Sequence, residues 1–439
     1  MRRTRLLLSI VLSVGLAGGL GLAGPAAARQ PGWTPAADVS EPARFTYGPD
    51  VAVGPGGLTV AVWPRGDERL HLWASWRRPG GAWSTPRRVP GTRGAMEAEA
   101  AFDRDGELVL AWSSGRRVMV VRRPLREAWG APTTVHRTAA GVRGTRPGDL
   151  YLAVNGSGRA ALSWDTIDDD LDATYALSRV QAAVGGPGGR WSRATTLSSV
   201  GRDGYGAEVA VSRTGRVAAV WDETRGSRGR IMTASRAVGE GWGESRALSR
   251  WLAHPSDPRL ADLPSGELAV AWNAGGSTPA IRIRRWRESE GWSSASSVPG
   301  VAADPWWMTI GMDGAGAVTV AWSNPAKAVW VAEQKPQGWT RTRVAPIGSV
   351  FYGLQLEVNR AGDVVLGWDG RAGDGHVAQA AYRTRAGSWV TATTLSDPRG
   401  DAGGTAVGLA GDGTATAAWV VGPRMGMTGR IQASVYEVR

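Results

Sequence analysis

Eight copies of a Gly-to-Trp hairpin, a second Trp-led run in seven of them and no sustained 3.6-residue period predict an all-β chain. Its expected form is an eight-bladed β-propeller with four-stranded blades, the ring closed by an N-terminal strand that pairs with the last blade.

The hairpin comes first. A Gly followed six residues later by Trp occurs at Gly57/Trp63, Gly106/Trp112, Gly158/Trp164, Gly215/Trp221, Gly266/Trp272, Gly316/Trp322, Gly362/Trp368 and Gly413/Trp419. Each Gly lies between two short apolar runs, as in Val209-Ala210-Val211 and the run from Arg216 to Trp221. Extended runs joined by a Gly-containing turn predict strands A and B of a blade. The repeat Trp are expected in the core. A polar residue follows most of them (Ser113, Asp165, Asp222, Asn273, Ser323, Asp369) and is expected to open a turn. A third run such as Ile231 to Ser235 supplies strand C, and a second Trp opens strand D at Trp83, Trp129, Trp191, Trp242, Trp292, Trp339 and Trp389.

Closure follows from the last repeat, which has its hairpin and a third strand from Arg430 to Val438 but no Trp-led fourth strand. Gly32-Trp33-Thr34-Pro35 matches Ala82-Trp83-Ser84-Thr85-Pro86, so residues 32–40 are expected to complete blade eight and cover its edge.

Residues 1–28 have the form of an export signal: Arg2, Arg3 and Arg5, an uncharged run from Leu6 to Ala23, then small residues Ala26-Ala27-Ala28 before cleavage. A retained anchor is the alternative. The expectation is a secreted, monomeric chain with one propeller domain over 29–439 and no membrane span after signal removal. It has no Cys, so packing alone must stabilise it. The formal charge of +12 falls to +9 once the three signal arginines leave, and all but Lys327 and Lys335 of the basic residues are Arg. Attraction to anionic polymers and a compositional bias are both open readings. The arginines are scattered rather than clustered, so nucleic acid is not an expected partner.

The hairpins, segments such as Arg179 to Ala183 and Arg430 to Ser434, and runs ending like Thr195-Thr196-Leu197-Ser198 resemble secreted actinobacterial sialidase-superfamily-like propeller repeats, of the bacterial neuraminidase repeat type. The resemblance covers 32–439 and implies the fold and secretion. It departs from true sialidases, whose S-x-D-x-G-x-x-W box sets Trp three after Gly and whose blades number six.

Ligands of propellers are expected at the mouth where strand A begins. Ten residues before each repeat Gly stand Tyr47, Met96, Gly148, Tyr205, Ser256, Trp306, Tyr352 and Gly403. Three further on stand Asp50, Glu99, Tyr151, Glu208, Arg259, Thr309, Gln355 and Ala406, a mostly polar ring near the axis. Two beyond that the residue is small except at Glu357, as a crowded axis requires. Two readings stand side by side: aromatics wedged between blades over a wet channel, or a ligand mouth in which Tyr47, Tyr205, Trp306 and Tyr352 stack while Glu208 and Arg259 orient the ligand. A glycan or an extracellular protein is the expected partner of a binding propeller. A sialidase-like carbohydrate-active enzyme and a structural surface protein are the alternatives. Catalysis would need a carboxyl pair or a Tyr with a Glu partner. Tyr205 and Glu208, three apart on one strand, are expected on opposite faces unless a bulge intervenes. No catalytic residue is assigned.

The four His (His71, His136, His254, His376) have no metal spacing, and no cofactor is expected. Asp168, Asp170 and Asp172 alternate like a calcium loop, but Arg179 stands where the bidentate Glu belongs, so a solvated acidic turn is the favoured reading.

Overall fold

The computed structural model describes residues 31–138, 146–167, 178–253, 256–263, 265–275, 280–301, 305–324, 326–346, 348–373, 375–422 and 428–438. The export signal and Asp168, Asp170 and Asp172 lie outside them. Eight antiparallel sheets follow one another, and the chain is an eight-bladed β-propeller. Blade four is typical, with strand A Asp203–Val211, B Val217–Arg225, C Arg228–Arg236 and D Arg246–Ala247. Helix among the described residues is one 3-10 turn, Pro55–Gly57. None is long and apolar enough to cross a membrane.

The A–B turn explains the repeat Gly. All eight hairpin glycines have positive φ, as Gly215 at +87° and Gly106 at +83° illustrate. That conformation strains any residue with a Cβ. Asp103 and Asp313 each accept two backbone N–H bonds across their turns, and Asn155 does the same from Ser157 and Arg159. These short side chains close the turn that the Gly permits.

The eight repeat Trp, namely Trp63, Trp112, Trp164, Trp221, Trp272, Trp322, Trp368 and Trp419, are at most 2% exposed, as a core position requires. Each packs toward the blade before it. Trp112 lies among Val60, Val62, Leu72 and Ala74 of blade one, and Trp164 among Val109, Val118 and Val120 of blade two. Trp221 meets Val180, Ala182 and Leu197 of blade three, and Trp272 meets Val220, Ile231 and Leu248 of blade four. Trp322 packs with Ala271, Ile281 and Ile283 of blade five, Trp368 with Ala321, Val329 and Val331 of blade six, and Trp419 with Val365, Ala378 and Tyr382 of blade seven. Trp63 of blade one packs with Ala406, Ala418 and Ile431 of blade eight, so one hydrophobic contact pattern runs around the whole ring. Two of the indoles also reach a polar partner on strand C: Trp164 Nε1 donates to Gln181 Oε1 at 3.0 Å, and Trp368 Nε1 to Gln379 Oε1 at 2.8 Å.

In the last blade Gly32–Trp33 and Ala37–Asp38 pair with Arg430–Glu437, opposing Glu437 to Gly32 and Tyr436 to Trp33. Thr34 N–H donates to Val435 O at 2.8 Å and Ser434 Oγ to Thr34 O at 2.6 Å.

Two expectations need correction. Of the polar residues after the repeat Trp, Asn273 and Ser323 do end strand B, and Asn273 accepts from Gly275 N–H in the turn at 2.9 Å, but the others do not open turns. Asp165, Asp222 and Asp369 lie inside strand B (Ala160–Ile167, Val217–Arg225, Val364–Ala372), because the B–C turn comes later. The D strands are mostly short and begin past their Trp, as at Arg87–Arg88 and Thr195–Thr196, where Trp83 and Trp191 make only isolated bridges.

Candidate functional site at the axial mouth

Strand A is the inner edge of every blade, so its axis-facing N–H groups lack a sheet partner. The polar ring supplies one. Asp50 Oδ2 accepts from Ala100 N–H at 2.7 Å, Glu208 Oε2 from Leu260 N–H at 2.6 Å, and Gln355 Oε1 from Val407 N–H at 3.2 Å. Each bond crosses to the next blade and meets the same repeat position. Part of the ring therefore staples blades together. The small residues beyond it fit the crowding: a Cβ on Gly311 would come within 2.4 Å of Val358, and one on Gly408 within 2.7 Å of Val53.

The A–B register shifts at the start of strand A in blades three to eight, between Tyr205 and Glu208 in blade four. Tyr205 pairs with Asp222 and Glu208 with Val220, which stand two apart on strand B. The extra residue puts Tyr205 and Glu208 on the same face, not opposite faces. In blades four to eight the bulge residue takes positive φ: Gly206 (+58°), Asp257 (+54°), Trp307 (+39°), Gly353 (+62°) and Gly404 (+63°).

In blades four, six and seven the bulge turns the residue before it outward: Tyr205, Trp306 and Tyr352 are exposed, up to 61% at Tyr352. Tyr47 (38%) and Met96, at the same repeat position, are exposed without a bulge. They are not wedged between blades. Trp306 and Trp307 meet edge-on at 6.0 Å between centroids, and Trp307 meets Tyr352 at 5.5 Å, giving a continuous aromatic patch across blades six and seven. Trp307 escapes the repeat alignment because it lies one residue out of phase.

Below the mouth lies a cavity of about 480 Å³, walled by Glu99, Tyr151, Glu208, Arg259, Asp262, Thr309 and Glu357 among others. A second, also about 480 Å³, opens beside Tyr47, Met96, Glu97 and Asp149. Glu99 and Tyr151 line both, so the two adjoin. None of the eight repeat Trp lines either cavity, Trp164, Trp272, Trp322, Trp368 and Trp419 included: they fill seams and leave the mouth to other residues. Arg259 Nη1 donates to Glu208 Oε1 at 2.8 Å and to the Tyr151 hydroxyl at 3.4 Å, and Nε donates to Met308 O at 3.1 Å. Glu208 and Arg259 thus come together, while Tyr205 sits apart, among Asp203, Asp222 and Asp165.

The axis is acidic although the chain is basic. Burial, with Asp50, Glu97 and Glu208 adding to it, pushes Glu99 well above the usual carboxyl range. Desolvation within the narrow axial channel raises Glu357 to about 7 and Asp50 and Asp262 to about 6, although Glu357 and Asp262 stay open to the solvent in it. Near neutral pH Glu357 is therefore divided between its acid and its carboxylate and can donate or accept, while Asp50 and Asp262 are mostly ionised and accept. Burial opposes the Arg259 charge, but Glu208 and Tyr151 outweigh it and hold the guanidinium protonated. Burial raises the Tyr151 phenol and, with Asp203, takes Tyr205 up to about 12, so both stay neutral. Among the described residues Arg259 is the one guanidinium on either cavity wall, and no group of three His, Asp or Glu is arranged to hold a metal ion.

No protein-family model matches the chain, and no curated protein matches it. Among solved structures it is similar to a prolyl endopeptidase (TM-score 0.51, 12% identity, covering 86% of this chain and 54% of that one). This chain thus spans about half the length of that enzyme. It is also similar to a protein of unknown function from Dyadobacter fermentans (0.46, 10%, covering 93% and 100%) and to the NanB sialidase of Streptococcus pneumoniae (0.46, 9%, covering 92% and 94%). At such identities the likeness is one of fold.

Proposed function

We propose that this chain is a secreted, monomeric binding propeller whose axial mouth takes a glycan or another cell-surface ligand. The observation that carries the reading is the shared exposure of Tyr47, Tyr205, Trp306 and Tyr352 at one repeat position, above a polar cavity. Flat aromatic faces beside hydroxyl-sized hydrogen-bonding groups suit sugar rings, which are apolar on one face and polar at the rim. The axial carboxyls and the Tyr151 hydroxyl supply hydrogen-bonding partners for the hydroxyls of such a ring.

The sialidase-like reading has one observation in its favour, the Tyr151–Arg259–Glu208 contact. It lacks an arginine cluster on the cavity walls, and its phenol is held neutral. The structural reading rests on the interblade staples.

A glycan array probed with residues 29–439 tests the proposal. Binding is expected, and the Tyr205/Trp306/Tyr352→Ala variant should lose it while keeping its melting curve. A folded triple variant with full binding removes the mouth as the site. Turnover of a fluorogenic sialoside that Tyr151→Phe abolishes would favour the enzyme instead, and a protein ligand captured at the mouth would replace the glycan.

A further inference from the structure

A third pocket, of about 460 Å³, lies on the mouth face between blades one and two, lined by Arg69, Leu70, Arg93, Gly94, Met96 and Arg117. Its walls are the B–C loop of blade one, the connection into blade two and the start of strand C in blade two (Arg117–Arg123). The floor is fixed. Gly94 N–H donates to Leu70 O at 2.8 Å, Ser114 Oγ donates to Arg93 O at 3.0 Å, and buried Thr92 accepts from Leu72 N–H at 3.0 Å. Arg93 is therefore presented by a pinned backbone.

None of the three guanidinia has an ion-pair partner among the described residues, although Asp67 and Glu68 share the loop of Arg69. The local field is positive: burial, then Arg88 and Arg93, lower the pKa of neighbouring His71. Three arginines lining one concavity, with no ion-pair partner among the described residues, match a tetrahedral oxyanion, which accepts several charge-assisted bonds at once. Met96 lines this pocket and the mouth cavity, so the two sites adjoin.

We propose that the rim pocket is an oxyanion site that holds a phosphate or sulfate substituent of the ligand whose rings stack at the mouth. The second half rests on the binding reading above; the first stands without it.

Calorimetry with inorganic phosphate and inorganic sulfate tests the pocket alone. Saturable one-site binding is expected, weakened about tenfold or more in Arg93→Gln/Arg117→Gln. Arg78→Gln, an exposed arginine beside the A–B turns on the opposite face, should leave it unchanged. Absence of saturable binding, or equal weakening by Arg78→Gln, overturns the site. Glucose 6-phosphate then tests the link. Weakening by both the rim pair and Trp306→Ala/Tyr352→Ala supports it. Weakening by the rim pair alone keeps the pocket and overturns the shared ligand. Weakening by the aromatic pair alone overturns the rim site and leaves the mouth standing.

Discussion

Glu208 and Arg259 belong to neighbouring blades, yet their side chains meet at 2.8 Å, and Glu208 reaches on to the backbone of Leu260 at 2.6 Å. One carboxylate thus joins two blades and neutralises the guanidinium on the axis. Arg259→Met would leave Glu208 in a wall already crowded with Glu99. We expect a loss of about 2–4 kcal/mol in urea unfolding, partly recovered in Glu208→Gln/Arg259→Met. Unfolding of Arg259→Met that matches the parent would mean the pair carries no stability.

Acidity should strengthen the fold. Burial lifts Asp165 and Asp222 to about 7, and Glu357 likewise. The folded chain then holds protons that the unfolded chain releases near pH 4, so the unfolded state binds fewer protons between about pH 4 and 7. These groups contribute fully below the unfolded pKa, and their contribution fades as pH rises through 7. Melting temperature should fall from pH 5 to pH 8. Asp165→Asn/Asp222→Asn should flatten that slope while the amide oxygen keeps the acceptor for Gly206 N–H, which now lies 3.3 Å from Asp165. A slope unchanged by the double substitution would assign the effect elsewhere.

Trp221 is fully buried and fills the seam between blades three and four. Trp221→Ala removes its contacts and opens a cavity, and should cost about 3–5 kcal/mol. A melting curve like the parent's would contradict its place in the core.

Two bulge glycines should respond differently to one methyl group. Gly206 has φ +58° and its Cβ position meets only Pro258 at 4.0 Å, so Gly206→Ala should cost about 1 kcal/mol from backbone strain. Gly404 has φ +63°, and a Cβ there would come within 2.8 Å of the Gly48 Cα, where blade eight crosses blade one. Gly404→Ala should destabilise clearly more. Equal melting temperatures for the two variants would show that the crossing is not tight.

The ring was legible because its signal is periodic. A turn that needs positive φ selects Gly, and a seam that needs a large apolar filler selects Trp, eight times at one spacing. The site was legible only in part. Tyr205 and Tyr352 stood out as aromatics, but the Gly206 and Gly353 that follow them were the sign of the bulge. Asp257 and Trp307 adopt the same backbone without any such sign. The Glu208–Arg259 contact links residues 51 apart on different blades, and no local pattern encodes which carboxyl faces which guanidinium. The strand-B carboxyls were misplaced because polarity after an apolar run also marks turns, and only the fold reveals Asp369 bonded to Gly404 and Thr405 of the next blade.

The latch between Gly32–Trp33 and Tyr436–Glu437 also gives the molecule a direction. Strand A runs from the mouth to the A–B turns, so in blade eight strand C ends, and the latch begins, on the face away from the mouth. Gly32 and Glu437 therefore lie side by side on that far face. A molecule held to a surface on that face would stand with Tyr47, Tyr205, Trp306 and Tyr352 turned outward, like a dish on its mount.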